Sequence, residues 1–394
     1  MSTLKVDAIR HNSATSDAIT TAADGTCTAK ITGMTGGGQL SHRNIAINGA
    51  MNVAQRGTSG NVGVFIVDRF PLFGTGHDEA PTQAQVDVAS GTTPYTLGFR
   101  KALKITNGNQ TSGAGAGDRL FTQTKLEAQD IANSGWNYKS SSSFITLSFW
   151  VKSSVAQNFF GDIRTFDGTA QGYAFETGSL TADTWTKITK TIPGNSNLQF
   201  DNDVDSGLTI VFGVYHGTDY TDAGVTLNQW GTYNGNQRMP TNTTTWYTTN
   251  DATFEYTGVQ LEVGDTATTF EHRSFGDALL RCQRYYQQFE GISDQAALGF
   301  GRSNSTTVAE FNVPLSVPLR ASPILNSCNW AVFTATNQSN VSNTTPSVRK
   351  WDAHSNMLAI GIAGLSGMTN ARTLTVYLNS SHTFSMDAEL KYNS

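Results

Sequence analysis

The feature that most constrains this chain is a recurring alternation of short β-branched and aromatic runs with clusters of Asn, Ser, Gly or Pro. Val64 to Phe73 (VFIVDRFPLF), Tyr95 to Asn107, Phe144 to Val151 (FITLSFWV), Trp185 to Ile192, Leu208 to Tyr215 (LTIVFGVY) and Thr253 to Val263 (TFEYTGVQLEV) are such runs. Parallel strands need crossovers of a dozen or more residues, usually helical, and no helix-period segment of that length separates these runs. The pattern therefore predicts an all-β chain with an antiparallel β-sandwich or jelly roll over 41–271. Side-chain chemistry agrees: only 14% of the 394 residues are charged, against a usual ~25%. The polar surface must then be built largely from Ser, Thr and Asn, residues that suit strands and turns better than long solvated helices.

The ends of the chain read differently. Residues 1–40 hold three short β-like stretches (Thr3 to Ile9, Ala18 to Thr21, Cys27 to Thr32) and then Gly36, Gly37 and Gly38. So few large apolar side chains cannot enclose a core, so this N-terminal segment is expected to be stable only when paired with other copies or a larger assembly, with the glycines as hinge. Ser274 to Glu290 (SFGDALLRCQRYYQQFE) has a capping serine, Asp277 three residues on, and apolar residues at helical spacing, which predicts a short connector helix within 272–290. Residues 291–394 return to strand patterning (Val308 to Val313, Trp330 to Thr336, Met357 to Ile362, Thr373 to Leu378) and are expected to form a C-terminal distal β-sandwich.

Several function classes find no support. A net charge of −5 and scattered basic residues offer no footprint for nucleic acid. Met1 to Arg10 lacks an apolar signal core and no stretch approaches ~20 apolar residues, so synthesis in a cytoplasm without membrane insertion is expected. Cys27, Cys282 and Cys328 are too far apart for a zinc or redox motif. The seven histidines show no metal-binding spacing, no nucleophile elbow is present, and Gly113 to Gly117 lacks the strand–helix context of a phosphate loop. Glu176, Glu255, Glu262 and Glu271 sit in or beside strand-like runs, where an outward-facing structural carboxylate is the default reading. No catalytic residue, metal or other cofactor is therefore expected. Asp201, Asp203 and Asp205 (DNDVDSG) are weak calcium candidates, since Phe212 stands where a calcium loop needs its bidentate Glu.

Aromatic residues in polar loops carry more information. Trp230, Tyr233, Trp246 and Tyr247 lie within Asn228 to Asn250, a Thr-, Asn- and Gly-rich stretch. Rings stack on the apolar faces of sugars while amides and hydroxyls bond their hydroxyl groups, so these four are candidates for glycan contact, with Trp330 and Trp351 as competitors. The alternative is that the rings plug the end of the sandwich or an interface between subunits.

A resemblance covers roughly 245 of the 394 residues. Asn44 to Gly57 (NIAINGAMNVAQRG), Val67 to Phe70 (VDRF), Ser148 to Val151 (SFWV), Thr257 to Thr266 (TGVQLEVGDT) and Thr269 to Tyr286 (TFEHRSFGDALLRCQRYY), in that order, resemble the tail fibre and receptor-binding proteins of tailed bacteriophages. The resemblance implies a jelly roll like a carbohydrate-binding module on a homotrimeric fibre of the virion tail, joined to other phage tail proteins through residues 1–40 and adhering to host surface polysaccharide. It supplies no catalytic residues. Arg56, Asp68, Arg69, Glu262 and Arg273, the polar residues of the shared blocks, are expected to form structural ion pairs. Two rivals stay open: a connector fibre or collar adaptor that never meets a receptor, and a polysaccharide depolymerase tailspike.

Overall fold

The computed structural model describes residues 6–10, 12, 15, 17–23, 27–29, 42–290, 297–334, 338–378 and 382–390. Gly36 to Gly38, read as a hinge, lie outside the described residues. Strands β1 (Ala8–Ile9), β2 (Ile19–Thr21) and β3 (Cys27–Ala29) form an antiparallel meander at the three β-like stretches. The side chains of β1 and β2 are exposed or half-buried, as three short strands without a hydrophobic face must be.

The jelly roll follows. Its strands in chain order are β4 (Ser59–Asn61), β5 (Leu72–Thr75), β6 (Thr82–Asp87), β7 (Lys101–Thr106), β8 (Arg119–Glu127) and β9 (Phe144–Ser153). They continue with β10 (Asn158–Thr165), β11 (Gln171–Ser179), β12 (Thr186–Pro193), β13 (Ser206–His216), β14 (Trp230–Thr232) and β15 (Thr253–Val263). A front sheet has the order β14-β11-β10-β13-β8-β5 and a back sheet the order β12-β9-β15-β7-β6-β4. Every named pairing is antiparallel. Period-two alternation sends Ile163, Tyr173, Ile210 and Phe212 of the front sheet inward against Ile145, Phe149, Phe254 and Tyr256 of the back sheet, forming one core. The Phe212 ring stacks on Tyr256 at 4.8 Å, and the Tyr256 hydroxyl lies 2.5 Å from Thr122 Oγ1, so this buried polar tip has a partner.

The connector helix is shorter than its sequence window. It spans Phe275–Gln283, and the Asp277 amide donates to Ser274 Oγ at 3.2 Å, the cap that the sequence anticipates. Tyr286 onward leaves the helix because its aromatic side chains are used in a strand, β16 (Tyr286–Glu290), which pairs with the last strand of the chain. The C-terminal unit continues with β17 (Ala297–Ser303), β18 (Val308–Pro314), β19 (Ile324–Leu325), β20 (Cys328–Thr334), β21 (Gln338–Thr344), β22 (Ser347–Lys350), β23 (Met357–Ala363), β24 (Thr373–Leu378) and β25 (Thr383–Asp387). A seven-stranded sheet, β21-β20-β24-β17-β18-β23-β22, and the three-stranded sheet β16-β25-β19 enclose a second core around Phe311, Trp330 and Phe384.

Buried charges join the two units. Glu389 takes Arg69 in a direct ion pair and Arg56 at 3.4 Å, while Arg56 also lies 3.6 Å from Asp68. Glu127 accepts Arg284 through both carboxylate oxygens (2.7 and 2.8 Å) and the Tyr285 hydroxyl at 2.6 Å. Arg320 donates to the carbonyls of Ala388 and Val204, both at 2.9 Å. Elsewhere Arg273 pairs with Glu271 and Asp277 at 3.0 Å, and Glu262 stands 4.0 Å from Arg43. The five polar residues of the recurring sequence blocks are thus engaged in ion pairs. Among the described residues no helix is long and apolar enough to cross a membrane.

Candidate functional site

The outer face of the front sheet is polar and yet largely hidden. Strand register places Ala174, Asp162, Val211 and Gln123 in one row across β11, β10, β13 and β8, and Gly172, Arg164, Thr209 and Lys125 in the next. Alternation forces these side chains away from the core, because Ile163, Ile210 and Leu126 point into it. The segment between β13 and β14 and its continuation to Pro240 then folds back over this face. Thr221 bridges to Met239, the Arg238 amide donates to the Tyr220 carbonyl at 3.0 Å, and Met239 is fully buried beneath.

What lies under and beside this flap is chemically unfinished. Asp162 is 2% exposed, its nearest charge is Arg164 Nε at 3.5 Å, and neither carboxylate oxygen has a hydrogen-bond partner within the chain. Burial pushes its carboxyl above the usual range, against the pull of Arg164 and Arg238. The Gln123 amide, both His216 ring nitrogens and Arg238 Nη1 are likewise buried without partners. His216 rests on the Phe121 ring at 5.4 Å, and burial together with Arg238, Arg164 and Arg119 holds it well below its ordinary value, as a neutral imidazole. Orphaned polar atoms are rare in folded chains, and several on one face mark it as a place where something else bonds.

An opening leads to this face. A cleft of about 460 Å³ is lined by Asp162, Gly172, Gln229, Tyr233, Asn234 and Arg238 among others. Tyr233, half-buried, lies over Gly172, where an added Cβ would meet its ring at 3.3 Å, and its hydroxyl accepts from Arg164 Nη1 at 2.6 Å. Phe166, 53% exposed, meets the same ring edge-on at 5.1 Å. The site therefore offers a carboxylate that needs donors, a guanidinium that needs acceptors, and an aromatic ridge.

The four aromatic candidates separate. Tyr233 stands in the cleft. Trp230 lines it from the core side: it is 6% exposed, packs on Tyr173 at 5.3 Å and donates its indole N–H to the Pro193 carbonyl at 2.7 Å. Trp246 and Tyr247 are core residues, which corrects their placement at a surface. The helical turn Thr245–Thr248 directs both rings inward, where Trp246 Nε1 donates to the Thr253 carbonyl (3.0 Å) and Tyr247 stacks on Tyr215 (4.3 Å). These two plug the end of the sandwich. Trp330 is fully buried in the second core, with Trp351 half-buried against it.

Asp201, Asp203 and Asp205 lie on an exposed turn held by its own bonds. Asp201 accepts from Gln199 at 2.8 Å, Asp203 from the Asp205 amide at 2.9 Å, and Asp205 pairs with Arg320 at 3.2 Å. Among the described residues no group of three His, Cys, Asp or Glu is arranged to hold a metal ion. Asp162, Gln123, His216 and Arg238 are absent from the sequence-based candidates, although NFFGDIRT and RLFTQTKLE do show charged and amide residues alternating with core residues inside apolar strands.

Fold and face together define a jelly-roll β-sandwich with a polar cleft on one sheet. No family model matches the chain, and no curated protein sequence aligns with it. Among solved structures it is similar to the enzymatically active domain of tailspike protein 4 of bacteriophage CBA120 (TM-score 0.32, 11% identity), over 56% of this chain and 21% of that one. It is also similar to the CBM22-1 xylan-binding domain from Paenibacillus barcinonensis (TM-score 0.27, 9% identity), over 58% of this chain and 100% of that one. A third is the family 11 carbohydrate-binding module from Clostridium thermocellum (TM-score 0.24, 12% identity), over 55% of this chain and 98% of that one. The chain thus spans about a fifth of the tailspike chain it matches. All three likenesses are distant, so ligand chemistry is taken from the cleft's own residues.

Proposed function

We propose that this protein is a non-enzymatic glycan-binding adhesin, carried in a phage virion as a homotrimeric tail fibre, with the front-sheet cleft as its binding site. The observation that supports this most directly is that the Asp162 carboxylate and Arg238 Nη1 are both buried, both without a hydrogen-bond partner in the chain, and both line a cleft beside the Tyr233 ring. A sugar diol meets both needs: one hydroxyl donates to the carboxylate and its neighbour accepts from the guanidinium, while the ring's apolar face lies on tyrosine. One such site binds weakly, and three on a fibre bind by avidity. The virion setting rests on the sequence blocks from Asn44 to Tyr286.

Host-cell adsorption and glycan-array binding test the proposal. Tyr233→Ala and Arg238→Met are expected to reduce binding by about tenfold or more, the equivalent of ~1.4 kcal/mol, in protein that stays trimeric by sedimentation. Unchanged adsorption would discard the site. Polysaccharide incubated with the protein should yield no new reducing ends; their appearance would favour a depolymerase. The junction of buried ion pairs between the two units also suits a stiff connector, and failure to bind host cells alongside retained binding to tail components would select that reading.

A further inference from the structure

The C-terminal unit shows rings where the outer face of a sheet is ordinarily polar. Phe300 is 67% exposed, the highest figure for a large apolar side chain among the described residues, and it stands in β17, the central strand of the seven-stranded sheet. Exposed apolar residues scattered singly are ordinary on protein surfaces. This one has company. Phe300 on β17 and Phe333 on β20 are both register partners of Thr375 on β24, the strand between them. Alternation therefore puts all three on the outer face, while Val332, Leu374 and Val376 point into the core. Tyr377, two residues further along β24, shares that face and meets the Phe333 ring edge-on at 5.0 Å.

The result is a shallow cradle. Thr375 is its floor, Phe300 and Phe333 are its walls, Tyr377 closes one end, and the other end opens toward Thr373 and Arg302, a register pair one row along. The walls rise from strands two sheet spacings apart, ~9.6 Å, and a ring lying ~4 Å from each wall fills that gap. The backbone under Phe300 is held in place. A Cβ added at Gly299 or Gly301 would lie 2.3 or 1.9 Å from a carbonyl oxygen of β18, so only glycine lets β17 and β18 approach this closely, and the Phe300 ring is displayed from a preorganised frame.

Size and chemistry select the occupant. One exposed and two half-buried rings present roughly 200–350 Å² of apolar surface, at ~150–250 Å² for a whole aromatic side chain. A stable interface between copies buries ~800 Å² on each partner, so the patch is too small for that and matches a single small ring. Floor and walls carry no charge, and the nearby Glu310 is turned to Arg349 at 3.2 Å. A neutral hexose has two apolar CH faces for the walls and a rim of hydroxyls for Thr375, Thr373 and Arg302.

We infer that the outer face of the C-terminal sheet holds a second carbohydrate site, in which Phe300 and Phe333 clasp one sugar ring of a neutral polysaccharide over Thr375. The site shares no residue with the front-sheet cleft and does not rest on it. Each chain then offers two sites, one on each unit, and a long polysaccharide that reaches both is held by avidity within a single chain.

The test probes an array of neutral hexose oligosaccharides with the full-length protein, as wild type and in a Tyr233→Ala background that disables the front-sheet cleft. The Tyr233→Ala protein is expected to retain binding, with saturation transfer by NMR from aromatic protons to the CH protons of the sugar. Adding Phe300→Ala should weaken that binding at least about tenfold and remove the transfer, and Phe300→Tyr, which keeps the ring, should preserve both. Because Phe300 is exposed, the melting temperature should hold, which separates a lost contact from a lost fold. If wild type binds but the Tyr233→Ala protein does not, or binds equally well with and without Phe300→Ala, the cradle is refuted while the front-sheet site stands. If Phe300→Ala alone abolishes binding and Tyr233→Ala changes nothing, the front-sheet site fails and the cradle stands. A smaller assembly by sedimentation on Phe300→Ala would show a second copy seated on this face and overturn the inference, as would wild type that binds no sugar on the array.

Discussion

The two sheets of the jelly roll present outer faces that are both polar and both covered, and they differ in how the polar groups are satisfied. On the back sheet, Gln260 donates to Glu262 at 2.9 Å, and Glu262 accepts the Thr268 amide and hydroxyl at 2.8 and 2.6 Å. Thr257 donates to the Lys101 carbonyl (2.7 Å) and Thr146 to that of Gly264 (2.7 Å). Glu271 then ties the entering strand by accepting the amides of His42 and Asn44 at 2.5 and 2.6 Å. On the front sheet, Asp162, Gln123 and His216 are as deeply buried and have no such partners. Burial alone therefore does not separate architecture from site. Completeness of the hydrogen bonding does: the back-face carboxylates Glu262 and Glu271 are satisfied by the chain itself, whereas neither oxygen of Asp162 on the front face has a hydrogen-bond partner within it.

The largest expected effect breaks the back face. Glu271→Ala strips partners from two backbone amides and from Arg273, and should cost about 3–5 kcal/mol, read as a lowered denaturation midpoint. Binding by the folded fraction should be unchanged. If the variant is as stable as wild type, the back face is not the structural one.

Next is the junction, where Asp68 departs from the satisfied pattern. Burial raises its carboxyl from 3.8 to about 6, opposed by Arg56 and by the Gln55 hydrogen bonds and assisted by Glu389. The folded state thus holds the Asp68 proton more tightly than the unfolded chain does. Its contribution to stability is fully present below about pH 4 and is lost as pH rises through about 6, a change of ~3 kcal/mol at ~1.4 kcal/mol per pH unit. Subtracting the pH–stability curve of Asp68→Asn from that of wild type should expose this slope between pH 4 and 6, and a flat difference would show that Asp68 titrates normally.

A smaller effect sharpens the contrast by giving opposite signs. Asp162→Asn removes a buried charge that burial disfavours, so the melting temperature should hold or rise while glycan binding drops about tenfold, ~1.4 kcal/mol. Loss of stability together with loss of binding would make Asp162 structural, like Glu262. Smallest of all is Tyr233→Phe, which keeps the ring and loses the 2.6 Å bond from Arg164. It should weaken binding by about 0.5–1.5 kcal/mol, and titration calorimetry can resolve that from the loss in Tyr233→Ala.

The same contrast explains what could be read from sequence. The sandwich was legible because alternation of apolar with polar residues is a backbone property, visible in FITLSFWV and LTIVFGVY without any partner. The structural role of Arg56, Arg69 and Glu262 was legible as a type, although their partners, up to 333 residues distant in the case of Arg56 and Glu389, were not. Of the four aromatic candidates, Tyr233 is half-buried at the cleft, and Trp230, Trp246 and Tyr247 are buried. An aromatic residue in a polar loop does not declare which way its ring turns, and at Trp246 and Tyr247 a single helical turn sends both inward. Asp162 and Gln123 were invisible for the opposite reason: a polar residue alternating with core residues looks solvent-facing, and only the returning flap from Gly217 to Pro240 buries it. The helix window ran too long because helical spacing persists through Tyr286 and Phe289, whereas pairing with β25 draws those residues into a strand.

The ion pair between Arg69 and Glu389 also sets an order of events during synthesis. A ribosome places Arg69 in the nascent chain 320 residues before the carboxylate that neutralises it, and Arg56 waits for the same group. At ~5–20 residues per second, that interval is tens of seconds. The jelly roll spends it with Arg69 lacking its carboxylate, while Arg56 already has Asp68 at 3.6 Å, so the base of the sandwich settles there only once Glu389 has been made. Packing at the base of the first unit is thereby timed by the arrival of Glu389.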